Sequence, residues 1–333
     1  MTPYQLFRLS MRQLGILLIE SAAAFLVAHT TMPARALPFD RTLPPHNDRS
    51  QLTPRLSVTP APTPTYAVTN TDAINGVPVD QFIVISGSAA QHIREIYENG
   101  QALGRNPNAF SEVGDSTIVW PRLMGVFNNP KSFTLGAFDY LQPTIDYYAG
   151  SFARSSPAAR KSLHAWSVMT EVWPDRGACL STETMLDCEL RLNNPAIVII
   201  RLGVNDVGAP KLFDDDYRKI VAYFIANGVI PVIGTKPDRF EGKQNTINIL
   251  LRKIAADYNV PLWDYDRVAA TLPGRGLWID NVHMGPSTHD YTTFLAFASG
   301  NAMHDLTALM MLDAIRKELA QPRLYGRHYL QDE

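Results

Sequence analysis

The sequence predicts an α/β domain in which helices cover both faces of a mainly parallel sheet. The first support is a nearly continuous β-branched and aliphatic run at 196–202, which is typical of a strand buried on both faces. The second is the alternation of strand signals at 229–233 and 260–263 with amphipathic helical segments at 217–225 and 247–258. Alternation of this kind joins parallel strands through helical crossovers.

Three further elements complete the predicted domain. A helix is expected at 88–103, a short strand at 110–113 and a last helix at 302–319. Ligands of such sheets bind at the carboxyl ends of the strands, so the candidate functional residues should lie there.

Length and charge restrict the class of protein. A chain of 333 residues with 46% hydrophobic content can bury the core of one large catalytic domain. Its 30 basic and 32 acidic residues leave a formal net charge of −2. Such a chain has no strong field to recruit polyanions, so nucleic acid is excluded as an expected partner.

Residues 1–36 have the features of an export signal. Arg8 and Arg12 precede an apolar stretch at 14–28, and an Ala-Arg-Ala sequence at 34–36 fits a cleavage site. The apolar stretch is shorter than the ~20 residues of a full membrane span. We therefore predict cleavage and an extracytoplasmic protein, with an uncleaved N-terminal membrane anchor as the alternative left open.

A Pro- and Thr-rich segment at 37–75 is predicted to be an extended linker, and the catalytic domain is predicted to occupy 76–333. Within that domain lie the two cysteines of the chain, Cys179 and Cys188. In an exported protein this pair favours a local disulfide, with two buried free thiols as the alternative. Neither cysteine has partners at zinc-ligand spacing, so no metal site is expected here.

Gly114-Asp115-Ser116 directly follows the strand predicted at 110–113. This position places Ser116 on a strand-to-helix turn, where the first N–H groups of the helix can face a developing oxyanion. A serine hydroxyl is a weak nucleophile by itself and requires a base.

Two more motifs follow later strands. Asn205, in the Gly-Val-Asn-Asp sequence at 203–206, can donate its side-chain N–H to an oxyanion. Asp280 precedes His283 by three residues, so its carboxylate can accept from Nδ1–H and leave Nε2 to deprotonate Ser116. Each motif alone is weak, but their co-occurrence at strand ends points to a serine hydrolase.

These three motifs resemble the sequence blocks of the SGNH/GDSL hydrolase family. The resemblance implies a flavodoxin-like, three-layer α/β/α sandwich and a catalytic triad of Ser116, Asp280 and His283. It also implies that the Ser116 N–H and Asn205 form the oxyanion hole, and that no metal or organic cofactor is needed.

The family's second block, which supplies an oxyanion glycine, has no clear counterpart. The neighbouring sequence contains only Tyr-Ala-Gly-Ser-Phe at 148–152 and Arg-Ser-Ser at 154–156. Gly150 is therefore the candidate for the remaining backbone donor.

The predicted function is that of a secreted serine esterase that forms an acyl-enzyme. The expected substrate is an ester of an acetylated glycan, a lipid or a small molecule. Two alternatives stay open: a non-catalytic carbohydrate-binding or surface-interaction module on the same fold, and an O-acyltransferase that uses the same residues.

Several polar and aromatic residues are predicted to have structural roles. The acidic run at 214–216 is expected to cap the N-terminus of a helix. His289 and His304, each followed by an aspartate, have no nearby serine turn and are not expected to act as bases. Tyr147, Tyr148 and Trp166 are assigned to the core, with a sugar-binding cleft as the alternative.

Overall fold

The computed structural model describes residues 71–321 of the chain. The predicted export signal and most of the predicted linker lie outside these residues. In the described part, the strands are β1 Ala73–Ile74, β2 Val77–Pro78, β3 Ile83–Val84, β4 Asn106–Gly114, β5 Pro195–Arg201, β6 Ile230–Gly234 and β7 Leu262–Trp263. The α-helices are α1 Gly87–Ala102, α2 Ser116–Val119, α3 Gln142–Tyr147, α4 Ala165–Val168, α5 Met185–Asn193, α6 Pro210–Ala226, α7 Thr246–Tyr258, α8 Tyr265–Ala269, α9 Phe294–Phe297 and α10 Gly300–Ala320.

A five-stranded sheet in the order β3-β7-β6-β5-β4 forms the centre of the domain. Strands β4 to β7 are parallel, and β3 pairs antiparallel with β7 at the edge. All seven residues of β5 are buried, as its uninterrupted apolar run predicts. The predicted α/β fold with a mainly parallel sheet, flanked by helices, is confirmed.

The helices pack through the faces that the sequence pattern marks. In α6 the buried residues include Tyr217, Ile220 and Phe224, and in α7 they include Leu251 and Ile254. The last helix, α10, is different because its residues are buried on nearly all sides from Gly300 to Leu312. A helix of this kind lies inside the domain rather than on its surface.

The antiparallel edge strand β3 was not predicted. It is only two residues long, too short to show alternation, and its pairing with β7 is a long-range contact. The folded part also includes the hairpin of β1 and β2, whose Ile74 is fully buried. This hairpin begins inside the last residues of the predicted linker.

The expectation that the acidic run at 214–216 caps a helix is wrong. Helix α6 begins four residues earlier, at Pro210, because proline at the first helical position needs no N–H partner. Asp214 and Asp215 instead pair with Arg218 and Lys211, one turn away, and Asp216 pairs with Lys219. These three aspartates therefore form exposed or partly exposed ion pairs along one helix.

Cys179 and Cys188 form a disulfide with a Cα–Cα distance of 5.3 Å. The bond ties α5 to the loop before it, and the enclosed Glu183 carboxylate holds the same loop by accepting from Arg191 Nη2 at 2.8 Å. A disulfide is consistent with an extracytoplasmic location. Among the described helices, none is long and apolar enough to cross a membrane.

Replacing Cys179 with Ser and Cys188 with Ala is expected to lower the free energy of unfolding by about 2–3 kcal/mol, because the unfolded chain gains the entropy of an open loop. Urea denaturation of both proteins measures the difference. Adding a reductant should destabilise the wild type to the level of the double variant and leave the variant unchanged. A wild type that does not respond to the reductant would contradict the prediction.

Candidate active site

Ser116 lies where the sequence predicts, at the first position of the short helix α2 and directly after β4 and Asp115. The Asp115 carboxylate caps this helix: its Oδ1 accepts from Thr117 N–H at 2.9 Å and from the Thr117 hydroxyl at 2.7 Å. Burial raises the pKa of Asp115, although both Thr117 hydrogen bonds oppose this shift. Asp115 therefore shapes the turn that presents Ser116, and its Oδ1 is occupied by that task.

A buried arginine lies next to this turn. Arg201, the last residue of β5, pairs in register with Gly114, and its guanidinium makes no hydrogen bond to a described residue. It faces the rings of Trp263 and Tyr265, with its Cζ 5.7 and 5.4 Å from their centroids. Burial lowers the pKa of Arg201, and the nearby Asp115 carboxylate works against that shift. Its place in the apolar run at 196–202 predicts its burial, but the sequence does not indicate which rings it faces.

His283 and Asp280 form the expected pair. His283 Nδ1 lies 2.7 Å from Asp280 Oδ2, while Asp280 Oδ1 accepts from the backbone N–H groups of Val282 and His283 at 2.9 and 3.0 Å. Partial burial raises the pKa of Asp280, but the hydrogen bonds from His283 and Val282 outweigh it and the net pKa is lowered. An ionised carboxylate at Nδ1 places the ring proton there and leaves Nε2 as the free acceptor.

Trp120 connects this pair to the nucleophile. Its backbone N–H donates to the Ser116 carbonyl at 3.0 Å, and its ring packs edge-on against the His283 ring, with centroids 5.5 Å apart. The imidazole thus lies against the residue that ends the Ser116 helix. In the described part of the chain, no hydrogen bond joins the Ser116 hydroxyl to His283. Such a gap is common in unliganded active sites, where this bond tightens on substrate binding.

Asn205 occupies the turn after β5. Gly203 leads into this turn with a φ of 121°, and a Cβ on it would lie 2.6 Å from the Ile247 side chain, so only glycine fits. Asn205 Nδ2 donates to the Leu163 carbonyl at 3.0 Å. One of the two N–H groups of the Asn205 side-chain amide is thereby engaged, and the other is free to donate to a ligand.

The segment beside the carboxyl end of β4 is residues 158–160. Gly114 N–H donates to the Ala158 carbonyl at 3.2 Å, and Arg160 N–H donates to the Gly114 carbonyl at 3.0 Å. This segment therefore extends the sheet edge next to Ser116. Its Pro-Ala-Ala-Arg sequence carries no strand pattern, which explains why it was not predicted.

Gly150 is not part of β4, but lies in a turn that packs beside another part of that strand. The adjacent Ser151 accepts from the Phe110 N–H at 3.2 Å, which places this turn beside the middle of β4 rather than its carboxyl end. The backbone that follows residue 160 starts next to the Ser116 turn in space, because the Arg160 N–H donates to the Gly114 carbonyl. In this stretch, Lys161 and Ser162 have N–H groups without a hydrogen bond to another described residue, and Ser162 has a φ of 59°.

Asp206, next to Asn205, contacts the segment at 164–165. Its Oδ1 accepts from the Ala165 N–H at 3.2 Å and lies 3.3 Å from His164 Nδ1, so it holds the segment that supplies the Leu163 carbonyl. Burial raises the pKa of Asp206, and His164 opposes this shift. Neither partner of Asp206 was recognised from the sequence.

Four of the five tryptophans of the chain are exposed near these residues. Trp120, Trp166, Trp173 and Trp278 are between 41% and 57% exposed. Trp278 donates its backbone N–H to the His283 carbonyl at 2.8 Å. The Trp166 ring stacks near the His164 ring and packs edge-on against the Trp173 ring. The assignment of Trp166 to the core is wrong, whereas Tyr148 is buried as expected. Exposed aromatic rings around a site mark a ligand-binding surface.

Among the described residues, one group of potential metal ligands is compact enough to hold an ion: Cys179, Glu183 and Cys188. Its two cysteines are joined in the disulfide and cannot act as thiolate ligands. None of these residues contacts Ser116 or His283.

Asn205→Ala is expected to lower kcat by about 10²–10³-fold, because one oxyanion donor is lost. The measurement is the steady-state hydrolysis of p-nitrophenyl acetate. Thermal unfolding of the variant shows whether the lost contact to Leu163 also affects stability. Asn108→Ala, at an exposed position of β4, is the matched control. An unchanged kcat in this variant would show that Asn205 is not an oxyanion donor.

No protein-family model and no curated protein matches this chain. Among solved structures, it is similar to TesA, with 15% identity and a TM-score of 0.42 over 62% of this chain and 99% of TesA. It is similar to the acetyl xylan esterase Axe2 from Geobacillus stearothermophilus, with 14% identity and a TM-score of 0.38 over 61% of this chain and 94% of that chain. A GDSL-like lipase from Bacteroides thetaiotaomicron aligns at 15% identity and a TM-score of 0.38 over 69% of this chain and 98% of that chain.

The solved structures that this chain resembles include an acetyl xylan esterase and a GDSL-like lipase.

Proposed function

We propose that this protein is an extracytoplasmic serine hydrolase that cleaves a carboxylic ester through an acyl-enzyme. The observation that carries the proposal is the 2.7 Å pairing of Asp280 with His283 Nδ1, in a loop that packs against the helix beginning at Ser116. An oriented imidazole with a free Nε2 beside a serine at a strand-to-helix turn is the arrangement that nucleophilic acyl transfer requires.

In the proposed reaction, the Ser116 hydroxyl attacks the ester carbonyl while His283 Nε2 takes its proton. The C–O bond to the alcohol then breaks, and His283 returns the proton to the leaving oxygen. A water molecule next attacks the acyl-Ser116 ester with His283 again as the base, and the acid is released. Asp280 stabilises the imidazolium that forms in both halves.

The oxyanion that forms on the former carbonyl oxygen needs hydrogen-bond donors directed at that oxygen. We assign two of them to the Ser116 N–H and the free N–H of Asn205, and the third to the backbone at Lys161 or Ser162 in place of Gly150. This third assignment is supported by the free N–H groups of these residues and by the pairing of residues 158–160 with the end of β4. Preorganised donors of this kind supply much of the rate enhancement in acyl transfer.

Covalent labelling with a fluorophosphonate probe, read by intact mass, tests the proposal. The wild type is expected to form one adduct, and His283→Ala is expected to form it far more slowly because Ser116 loses its base. Absence of an adduct on folded wild type would contradict the proposal and favour a non-catalytic carbohydrate-binding module. Product analysis with an added alcohol separates a hydrolase from an O-acyltransferase, since only the latter would yield mainly the new ester.

A further inference from the structure

His164 and Asp206 form a second imidazole–carboxylate pair, separate from that of His283 and Asp280. His164 Nδ1 lies 3.3 Å from Asp206 Oδ1, which also accepts from the Ala165 N–H at 3.2 Å. The Asp206 carboxylate is buried, and no other cation of the described residues lies within ion-pair distance of it. The pair therefore holds the imidazole through Nδ1, as the carboxylate of a histidine–carboxylate pair generally does.

The other side of the His164 ring is open to a ligand. The side chain is 38% exposed, and Nε2 makes no hydrogen bond to a described residue. The ring stacks near the Trp166 indole, with 6.2 Å between the centroids. When Nδ1 donates to a carboxylate, Nε2 can donate only if the ring carries both protons and a positive charge. A charged donor of this kind binds an anionic oxygen best.

Helix α6 packs against α4 beside this pair and contributes one further carboxylate. Burial raises the pKa of Asp206 and Asp216 of α6 adds to this effect, while His164 opposes it. The Asp216 carboxylate is itself paired with Lys219 Nζ at 2.7 Å. Because histidine is the side chain that changes its charge between about pH 5 and pH 8, His164 is the group of this cluster that responds to pH in that range.

Two contacts place the pair beside the candidate active site. The Leu163 carbonyl, directly before the histidine of the pair, accepts from Asn205 Nδ2 at 3.0 Å. At the other end of the same segment, the Arg160 N–H donates to the Gly114 carbonyl at 3.0 Å, two residues before Ser116. The segment at 160–164 thus runs from the turn that carries the nucleophile to the side chain of the proposed oxyanion donor.

The same segment carries two further cations. The Lys161 side chain is exposed and forms no ion pair with a described residue. The Arg160 guanidinium donates to the Trp173 carbonyl at 2.7 Å and lies 5.8 Å from the centroid of that ring. Glu171 and Asp175 of the following loop form no ion pair with either cation within the described residues. This segment is therefore locally cationic, although the whole chain has a formal net charge of −2.

The proposed reaction decides which part of an ester meets these cations. The alcohol oxygen must lie at His283 Nε2 to receive its proton. The segment at 160–166 contacts the Asn205 side chain, and in the described structure it makes no hydrogen bond or ring contact with His283. We propose that His164, together with Lys161, binds a carboxylate on the acyl part of the substrate, so that the preferred ester is that of an acidic acyl group. This inference rests on the proposed function.

Steady-state hydrolysis of two aryl esters by the full-length protein tests the inference. p-Nitrophenyl hydrogen adipate and p-nitrophenyl hexanoate share the leaving group and the acyl chain length, and only the adipate carries a carboxylate. We expect the adipate-to-hexanoate ratio of kcat/KM to be highest near about pH 6 and to fall toward about pH 8.5, because His164 loses its positive charge. His283 also titrates in this range, but it acts on both esters and cancels in the ratio.

His164→Gln should lower kcat/KM for the adipate by roughly 10–100-fold, the effect of losing a charge-assisted hydrogen bond, and lower that for the hexanoate much less. The loss should appear mainly in KM, since the carboxylate takes no part in the bond changes. The ratio should also become independent of pH. His92→Gln is the matched control: His92 lies on α1, with Nδ1 2.9 Å from the Tyr258 carbonyl, and its replacement should change neither ester.

Because His164 also holds its loop through Asp206, a second variant changes an exposed side chain alone. Lys161→Glu should lower the ratio by about two- to fivefold at low ionic strength, the effect of an exposed charge, and added salt should reduce the difference. A wild-type ratio that does not vary with pH, or a ratio that neither variant lowers, would overturn the proposal.

Fluorophosphonate labelling of the wild type separates this inference from the proposed function. An adduct without any preference for the adipate leaves the hydrolase in place and overturns the carboxylate site. If no adduct forms, calorimetric titration of the wild type with monomethyl adipate measures the site directly. Binding that His164→Gln weakens would then support the site and overturn its role in ester cleavage, and absence of binding would overturn both.

Discussion

Ser116→Ala is expected to lower kcat/KM for p-nitrophenyl acetate by roughly 10⁴–10⁶-fold, because no other group can form the acyl-enzyme. The Asp115 cap on Thr117 does not depend on the Ser116 hydroxyl, so the turn and the oxyanion donors should persist. Substrate binding should therefore change much less than kcat. Stopped-flow and steady-state kinetics at matched protein concentrations measure both quantities, together with the loss of any burst of p-nitrophenol.

Ser132→Ala provides the matched control, since Ser132 is an exposed serine outside the site. It should keep full activity. A Ser116→Ala protein that retains activity within tenfold of the wild type would show that hydrolysis occurs at another residue, and the assignment of the nucleophile would then be wrong.

Asp280→Asn is expected to lower kcat by about 10³–10⁴-fold with little change in stability. An amide at this position can donate to Nδ1, which favours the wrong tautomer of His283 and removes the negative charge that stabilises the imidazolium. The Asp280 side chain is 40% exposed, so water screens its charge. For this reason we expect an effect at or below the ~10⁴ of a fully buried triad aspartate.

The pH dependence of kcat/KM and a nitrogen-detected NMR spectrum of His283 distinguish this role from a structural one. In Asp280→Asn the Nδ1 proton signal should shift or disappear, while the fold remains intact. Asp139→Asn, at an exposed position, is the control and should change neither. If Asp280→Asn retains nearly all of the wild-type kcat, another group must orient the imidazole.

The central elements of the fold follow from local patterns. The run at 196–202 predicts β5 because a strand covered on both faces must be apolar at every position. Helices α6 and α7 follow from the spacing of their buried residues, and α1 begins and ends within one residue of its prediction. The acidic run at 214–216 does not mark the start of α6, because the proline at the first helical position begins the helix four residues earlier.

The fold also contains elements that no local pattern marks. Strand β3 has two residues, and the segment at 158–160 pairs with β4 through single hydrogen bonds. The conformations of β3 and of the segment at 158–160 depend on contacts with β7 and β4, which are distant in sequence. For the same reason the sequence did not point to the backbone at Lys161 and Ser162, which we propose as the third oxyanion donor in place of Gly150.

The sequence by itself determined the local chemistry: Ser116 on a strand-to-helix turn, Asp280 within three residues of His283, and a cysteine pair close enough to bond. Each of these depends on groups a few residues apart, so the backbone of one turn or loop is sufficient to define it. Only the tertiary structure decided that Asn205 is anchored by Leu163 and that His289 pairs with Asp305. These contacts join separate segments through packing against the sheet and α10, and packing of that kind leaves no periodic trace in the sequence.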